Sequence, residues 1–164
     1  MPILDPHSLE FFSKSADQTK RLGARLGALM KTGDVVCLSG DLGSGKTTFV
    51  QGLARGWGSL DVVTSPTFVI VNQYRKPDLS VLYHMDAYRL SGAEDAFNLD
   101  IDHFFSSGPL VIEWPNQIKG ALPDNYLWIE LVWVDEFQRR MVFKPFGAPY
   151  KELLNEFRQK TFGG

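Results

Sequence analysis

The stretch "GDLGSGKTTF", Gly40–Phe49, decides how the rest of the chain is read. Gly40 is followed by four residues and then by Gly45, Lys46 and Thr47, the spacing of a phosphate-cradling loop. Glycines at these places let backbone N–H groups curve around phosphate oxygens without obstruction by side chains. The helix that follows adds its N-terminal dipole to the same anion. Gly40, Asp41, Leu42, Gly43, Ser44, Gly45, Lys46, Thr47 and Thr48 therefore form the candidate phosphate-binding set. Within it, Lys46 is expected to reach the β- and γ-phosphates and the Thr47 hydroxyl to ligate Mg²⁺. The flanks fit: "DVVCLSG" reads as a buried strand entering the loop, and "TTFVQGLARGWG" as the helix leaving it.

Further out, "LEFF" reads as a short strand, and Ser15 with Gln18 resembles a capping box opening a helix that runs to about Met30. Leu22, Leu26 and Leu29 give that helix an apolar stripe, and Gly23 and Gly27 predict close packing against a sheet. "TFVIVNQY" and "SVLYHMDAY" read as two strands joined by the turn-prone "RKPDLS". "PLVIEW" is a short apolar strand, and "LWIELVWV" with "RRMVFKPF" a late hairpin turning near Asp135, Glu136 and Phe137. "YKELLNEFRQK" closes the chain as a helix with Tyr150, Leu153, Leu154 and Phe157 on one face. Strands mixed with helices, hairpins among them, predict an α/β fold with a mixed sheet.

The composition suits that reading. A chain of 164 residues, 44% hydrophobic and 22% charged, matches one globular domain with a sizeable core. A formal net charge of −2 argues against a broad basic surface holding nucleic acid unaided. The single cysteine, Cys37, lies in an apolar run, so it reads as a small buried residue in a reducing compartment rather than as a reactive thiol. No apolar run approaches the ~18 residues of a membrane span, and the first residues lack a signal-peptide pattern. A cytoplasmic protein is expected.

A phosphate loop of this kind needs a carboxylate at the end of a neighbouring strand to hold the metal, directly or through water. Glu113 ends "PLVIE" and Asp86 follows "SVLYHM" in the same manner. One of the two serves the metal while the other orients water or completes the metal shell, and sequence order does not assign the roles. Lys46, Asp86 and Glu113 are the candidate catalytic residues; Thr47, Glu113 and Asp86 are the candidate metal ligands. In "VTSPTF", Thr64, Ser65 and Thr67 bracket Pro66, and the segment reads either as a γ-phosphate sensor or as a turn before a strand.

With these residues assembled, the chain resembles the TsaE family, small bacterial ATPases required to make threonylcarbamoyladenosine in tRNA. The resemblance rests on an ordered set, "GDLGSGKTTF", "SPTF", "HMDAYRL" and "VIEWP", followed by Leu122-Pro123 before a strand. It implies a three-layer P-loop NTPase fold, α/β, with a central mixed, mostly parallel sheet flanked by helices, in one domain over residues 1–164. It implies ATP and Mg²⁺ as ligands, with Lys46 and Thr47 on phosphate and metal, Ser65 and Thr67 in the nucleotide-sensing segment, and Asp86 and Glu113 as the acids. Trp114, Tyr88 and Arg89 also match, Arg89 being either a charge-stabilising residue or a strand-end salt bridge. Asn116, Gln117 and Ser44 depart from the family pattern without removing a group the chemistry needs. The implied partners are the TsaB and TsaD components, with tRNA contacted indirectly. TsaD carries out the transfer, and this component, weak alone, hydrolyses ATP to reset the complex.

Three rivals use the same loop. A small-molecule kinase would need an acceptor pocket and an arginine-bearing lid, and no Arg-rich insertion is evident. A GTPase-like switch would carry Asn-Lys-x-Asp late in the chain, and "NQIK" at 116–119 does not match. A module binding nucleotide only as an assembly signal would show no turnover even with its partners.

Overall fold

The computed structural model describes residues 6–64 and 70–163. Its centre is a seven-stranded sheet in the order β1-β7-β6-β2-β5-β4-β3. The strands are β1 (Leu9–Ser13), β2 (Val35–Ser39), β3 (Val71–Arg75), β4 (Val81–Asp86), β5 (Leu110–Glu113), β6 (Tyr126–Trp133) and β7 (Arg139–Phe146). Strands β6, β2, β5 and β4 run parallel at the centre, whereas β1–β7, β6–β7 and β3–β4 pair antiparallel towards the edges. The strand pairs expected over 67–88 and 127–146 are thus the two flanks of the parallel core, at Val71–Asp86 and Tyr126–Phe146, residues 67–69 of the first lying outside the described residues.

Strand β2 shows why the sheet is covered on both faces. Val36 and Leu38 enter one core with α1 (Ala16–Gly27), α2 (Lys46–Trp57) and α5 (Ala148–Phe162). Val35 and Cys37 enter a second core with α3 (Ala93–Asn98), α4 (Ile101–Ser107) and a 3-10 helix, Pro115–Ala121. The alternation of successive residues between two cores is the period-2 pleat of a strand buried on both sides. Burial pushes the Cys37 thiol well above its ordinary range, so it packs as an apolar residue. No helix among the described residues is long and apolar enough to cross a membrane.

Local signals act at the element ends. The Ser15 hydroxyl accepts from Gln18 N at 3.1 Å, while Gln18 Oε1 reaches back one residue further than expected, to Lys14 N at 2.7 Å. Helix α1 then ends at Gly27, short of Met30. Helix α5 is anchored through Tyr150, whose hydroxyl accepts from Val35 N at 2.8 Å.

The two glycines of α1 pack differently from the expectation. A Cβ on Gly23 would strike the Phe49 carbonyl and one on Gly27 the Leu53 carbonyl, both backbone atoms of α2 rather than of the sheet. Gly52 and Gly56 of α2 meet the Lys20 and Ala24 carbonyls of α1 in return. Four glycines at four-residue spacing on two helices therefore bring the helix backbones into contact, and this fixes α2, whose first turn carries Lys46 and Thr47.

Candidate active site

The carboxyl ends of β2, β5 and β4 open on one edge of the sheet, where parallel α/β proteins place ligands. There β2 lies between β5 on one side and β6 on the other, so the loop leaving β2 enters a crevice where the chain order reverses. The loop's shape depends on its glycines. Gly40 has φ 150° and no room for a Cβ, which would strike the Leu131 carbonyl and the Ser44 hydroxyl. Gly45 caps α2 with φ 103°, a left-handed conformation that glycine adopts without strain.

A cavity of about 540 Å³ is lined by Leu42, Gly43, Gly45, Lys46, Thr47 and Thr48 of the loop and helix, by Asp86 and Glu113, and by Ile70, Tyr88, Arg89, Trp114 and Arg139. Most of the residues singled out from sequence therefore meet in one place. Gly40 and Asp41 contribute from behind: their carbonyls accept from Lys46 Nζ at 2.5 and 3.0 Å. Ser44 is buried with its hydroxyl unpartnered. Ser65 and Thr67 lie outside the described residues.

The acids come together through sheet register. Asp86 of β4 pairs directly with Glu113 of β5, and Glu113 with Leu38 of β2. Burial is the main influence on Asp86, raising its carboxyl above the ordinary range; the Tyr88 N–H at 2.9 Å opposes this and the Glu113 charge adds to it. Burial also lowers the Lys46 ammonium, with the Glu113, Asp86 and Asp41 charges opposing. Glu113 is 3% exposed, and its Oε2 lies 2.5 Å from His84 Nε2.

Trp114 follows Glu113 in a left-handed conformation, φ 58° and ψ 47°, uncommon for a bulky side chain. This turn carries the indole back over the site, with Lys46 Nζ 4.6 Å from the ring centroid and the Tyr88 ring 5.0 Å away. Arg89 is exposed and makes no ion pair among the described residues.

Sequence reading missed two residues. Arg139, the first residue of β7, lines the cavity on the side away from the acids; its Nη1 donates to the Asp135 carbonyl at 2.6 Å and its buried Nε is unpartnered. His84 stood only as a letter in "HMDAYRL", and its signal was an ionisable residue in the middle of an apolar strand.

Hard oxygen donors, the Thr47 hydroxyl with the Asp86 and Glu113 carboxylates, suit Mg²⁺. Among the described residues no group of three or more His, Cys, Asp or Glu gathers to hold a metal alone.

Comparison with known proteins places the chain in a family. The family model described as "Threonylcarbamoyl adenosine biosynthesis protein TsaE" matches residues 13–141. The tRNA threonylcarbamoyladenosine biosynthesis protein TsaE of Bacillus subtilis is 36% identical over 148 residues, 90% of this chain and 92% of that protein. Its counterpart in Treponema pallidum is 42% identical over 120 residues, 73% of this chain and 87% of that protein. The crystal structure of Bacillus subtilis YdiB superposes with a TM-score of 0.78 at 33% identity, covering 93% of this chain and 95% of that one. With the family model matching residues 13–141 and relatives of this identity covered over most of their length, the chain belongs to the TsaE family of threonylcarbamoyl adenosine biosynthesis proteins.

Proposed function

We propose that the protein is a single-domain P-loop ATPase of the cytoplasm that binds Mg²⁺–ATP and hydrolyses it to drive threonylcarbamoyladenosine modification of tRNA. The observation that carries the reading is the convergence of Lys46, Thr47, Asp86 and Glu113 on one cavity at the carboxyl edge of the sheet. The loop glycines and the N-terminus of α2 receive the phosphates, and Lys46 supplies positive charge to their β–γ end. Thr47 and one carboxylate would hold a magnesium ion, which would neutralise phosphate charge. The other carboxylate orients the attacking water. Asp86 and Glu113 lie on the β5–β4 side of the loop, and Arg139 of β7 lines the cavity from the β6–β7 side.

The TsaB and TsaD components are the proposed partners, with TsaD performing the transfer and this chain resetting the complex between rounds. Turnover by the isolated chain is weak and rises with the partners. A near-neutral net charge of −2 fits a component that leaves most tRNA contact to others.

The deciding experiment is a reconstituted tRNA-modification assay with and without this chain, with phosphate release measured in parallel. Modification that needs the chain and ATP beyond the first round supports the reading. Modification unchanged by its omission, or label passing from ATP to a small-molecule acceptor, overturns it.

A further inference from the structure

A line of hydrogen bonds leaves the candidate active site and ends at the edge of the sheet. His84 on β4 is fully buried, and both ring nitrogens have partners. Nε2 lies 2.5 Å from Glu113 Oε2, and Nδ1 lies 2.9 Å from the hydroxyl of Tyr74 on the edge strand β3. Around that hydroxyl stand Asn72 Nδ2 at 3.5 Å and the Thr64 carbonyl at 3.4 Å. Asn72 Nδ2 also donates to the Thr64 carbonyl at 3.3 Å.

Donor and acceptor chemistry gives the line a direction. A carboxylate only accepts, so His84 donates from Nε2 to Glu113, and its Nδ1 takes the Tyr74 hydroxyl as donor. The Tyr74 oxygen then accepts one Asn72 N–H, while the other goes to Thr64. Burial raises the Tyr74 hydroxyl above its ordinary range, which keeps it a donor. Bonds aligned in one sense polarise one another, and a buried polar group left unpartnered is costly, so each member constrains the next.

Packing alone does not call for this arrangement. Tyr74 and His84 occupy positions where apolar side chains would fill the volume without desolvating polar groups. The line also holds only one oxygen of Glu113: among the described residues no other hydrogen bond reaches that carboxylate, which leaves Oε1 for the cavity that Glu113 lines.

We propose that His84 and Tyr74 are positioning residues that fix the orientation of the Glu113 carboxylate and couple it to the backbone at Thr64. The line ends on the Thr64 carbonyl, so the state of that backbone is felt at the carboxylate, and the reverse. The inference rests on the reading of Glu113 as a working carboxylate of the nucleotide site.

The test uses the full chain with Tyr74→Phe, His84→Gln and His84→Ala. Affinity is read with a fluorescent ATP analogue, turnover by phosphate release, and backbone opening by hydrogen exchange at Val63–Thr64. Tyr74→Phe is expected to keep nucleotide affinity within about twofold while kcat falls about tenfold, the scale of losses when a partner orienting a site ligand is removed. His84→Gln, which keeps a donor towards Glu113, is expected to recover part of the kcat lost in His84→Ala.

A readout independent of turnover comes from a double-mutant cycle. Glu113→Gln is expected to change exchange at Val63–Thr64 severalfold in the wild-type background and not in the Tyr74→Phe background. An equal change in both backgrounds, or a Tyr74→Phe variant with wild-type kcat, overturns the proposal, as does a loss confined to melting temperature. A chain that binds no ATP would instead overturn the functional reading, and the exchange cycle would still judge the coupling.

Discussion

Lys46 holds its ammonium 4.6 Å from the centre of the Trp114 indole, and the contact exists because Trp114 takes a left-handed backbone conformation after Glu113. The aromatic face offsets part of the desolvation of a charge that burial already disfavours. It also holds the ammonium among the loop carbonyls before any anion arrives. A cation–π contact contributes about 0.5–2 kcal/mol according to its desolvation. Trp114→Ala is therefore expected to weaken nucleotide affinity roughly 2- to 30-fold, and Trp114→Phe, which keeps a π-face, by less. Calorimetric titration with ATP checks the order; equal affinity for all three proteins would show the contact to be incidental.

Lys46 and Glu113 are expected to separate binding from turnover. Lys46→Ala removes a charge-assisted donor from the phosphates, an interaction of about 1.5–3 kcal/mol, so affinity drops by roughly tenfold or more. Glu113→Gln keeps the shape but loses the charge. If Glu113 is the carboxylate that orients water, nucleotide affinity should stay within about threefold of wild type while turnover falls by about 10²–10⁴; a loss of affinity that excess magnesium restores would assign it to the metal and leave the water to Asp86. Equilibrium binding and phosphate release on both variants read the two effects. Normal tRNA modification by either variant would contradict the role assigned to its residue.

How legible this site was depended on how local each signal is. The loop was readable because its glycine spacing and the buried strand before it lie within fifteen residues, Val35–Phe49. Asp86 and Glu113 were readable because each ends an apolar strand, although only the sheet register shows that they are direct neighbours. Helices α3 and α4 were not foreseen. They span six and seven residues and are separated by Asp100 in a left-handed conformation, so packing against the sheet rather than propensity sustains them. The smallness of Gly23 and Gly27 was plain in the sequence, but what approaches them was not: their partner, α2, lies beyond the loop. His84 meets Glu113 across 29 residues, and nothing in one strand announces its neighbour.

The glycine contact between α1 and α2 makes a prediction in which two effects compete. Gly→Ala inside a helix gains about 1 kcal/mol in propensity. At Gly27 and Gly52 the new Cβ would press on a backbone carbonyl of the facing helix, which cannot rotate away. Overpacking of this kind costs about 1–3 kcal/mol, and rigid backbone neighbours place it at the upper end. A net loss of about 1–2 kcal/mol is expected for each variant, read by denaturant unfolding. Because α2 begins with Lys46 and Thr47, nucleotide affinity should fall with it. At Gly33, where a Cβ meets nothing, alanine faces only the backbone strain of φ 95°, and affinity should be unchanged.

Tyr150 ties α5 to the start of β2 and makes stability depend on alkaline pH. Its hydroxyl accepts from Val35 N at 2.8 Å, and burial raises its pKa from 10.0 to about 12, against the opposing effect of that bond. The folded state therefore keeps the phenolic proton where the unfolded chain releases it. The contribution is full below pH 10 and is lost as pH rises from 10 towards about 12. At about 1.4 kcal/mol per pKa unit the loss is on the order of 2–3 kcal/mol. Tyr150→Phe removes the titrating group and leaves the Val35 N–H unpartnered, which costs about 1–3 kcal/mol at neutral pH. Urea unfolding at pH 7 and pH 11 should thus show the variant less stable at pH 7 and the gap between the two proteins narrower at pH 11. A gap that stays constant or widens with pH would mean that the Tyr150 hydroxyl is not the group that titrates.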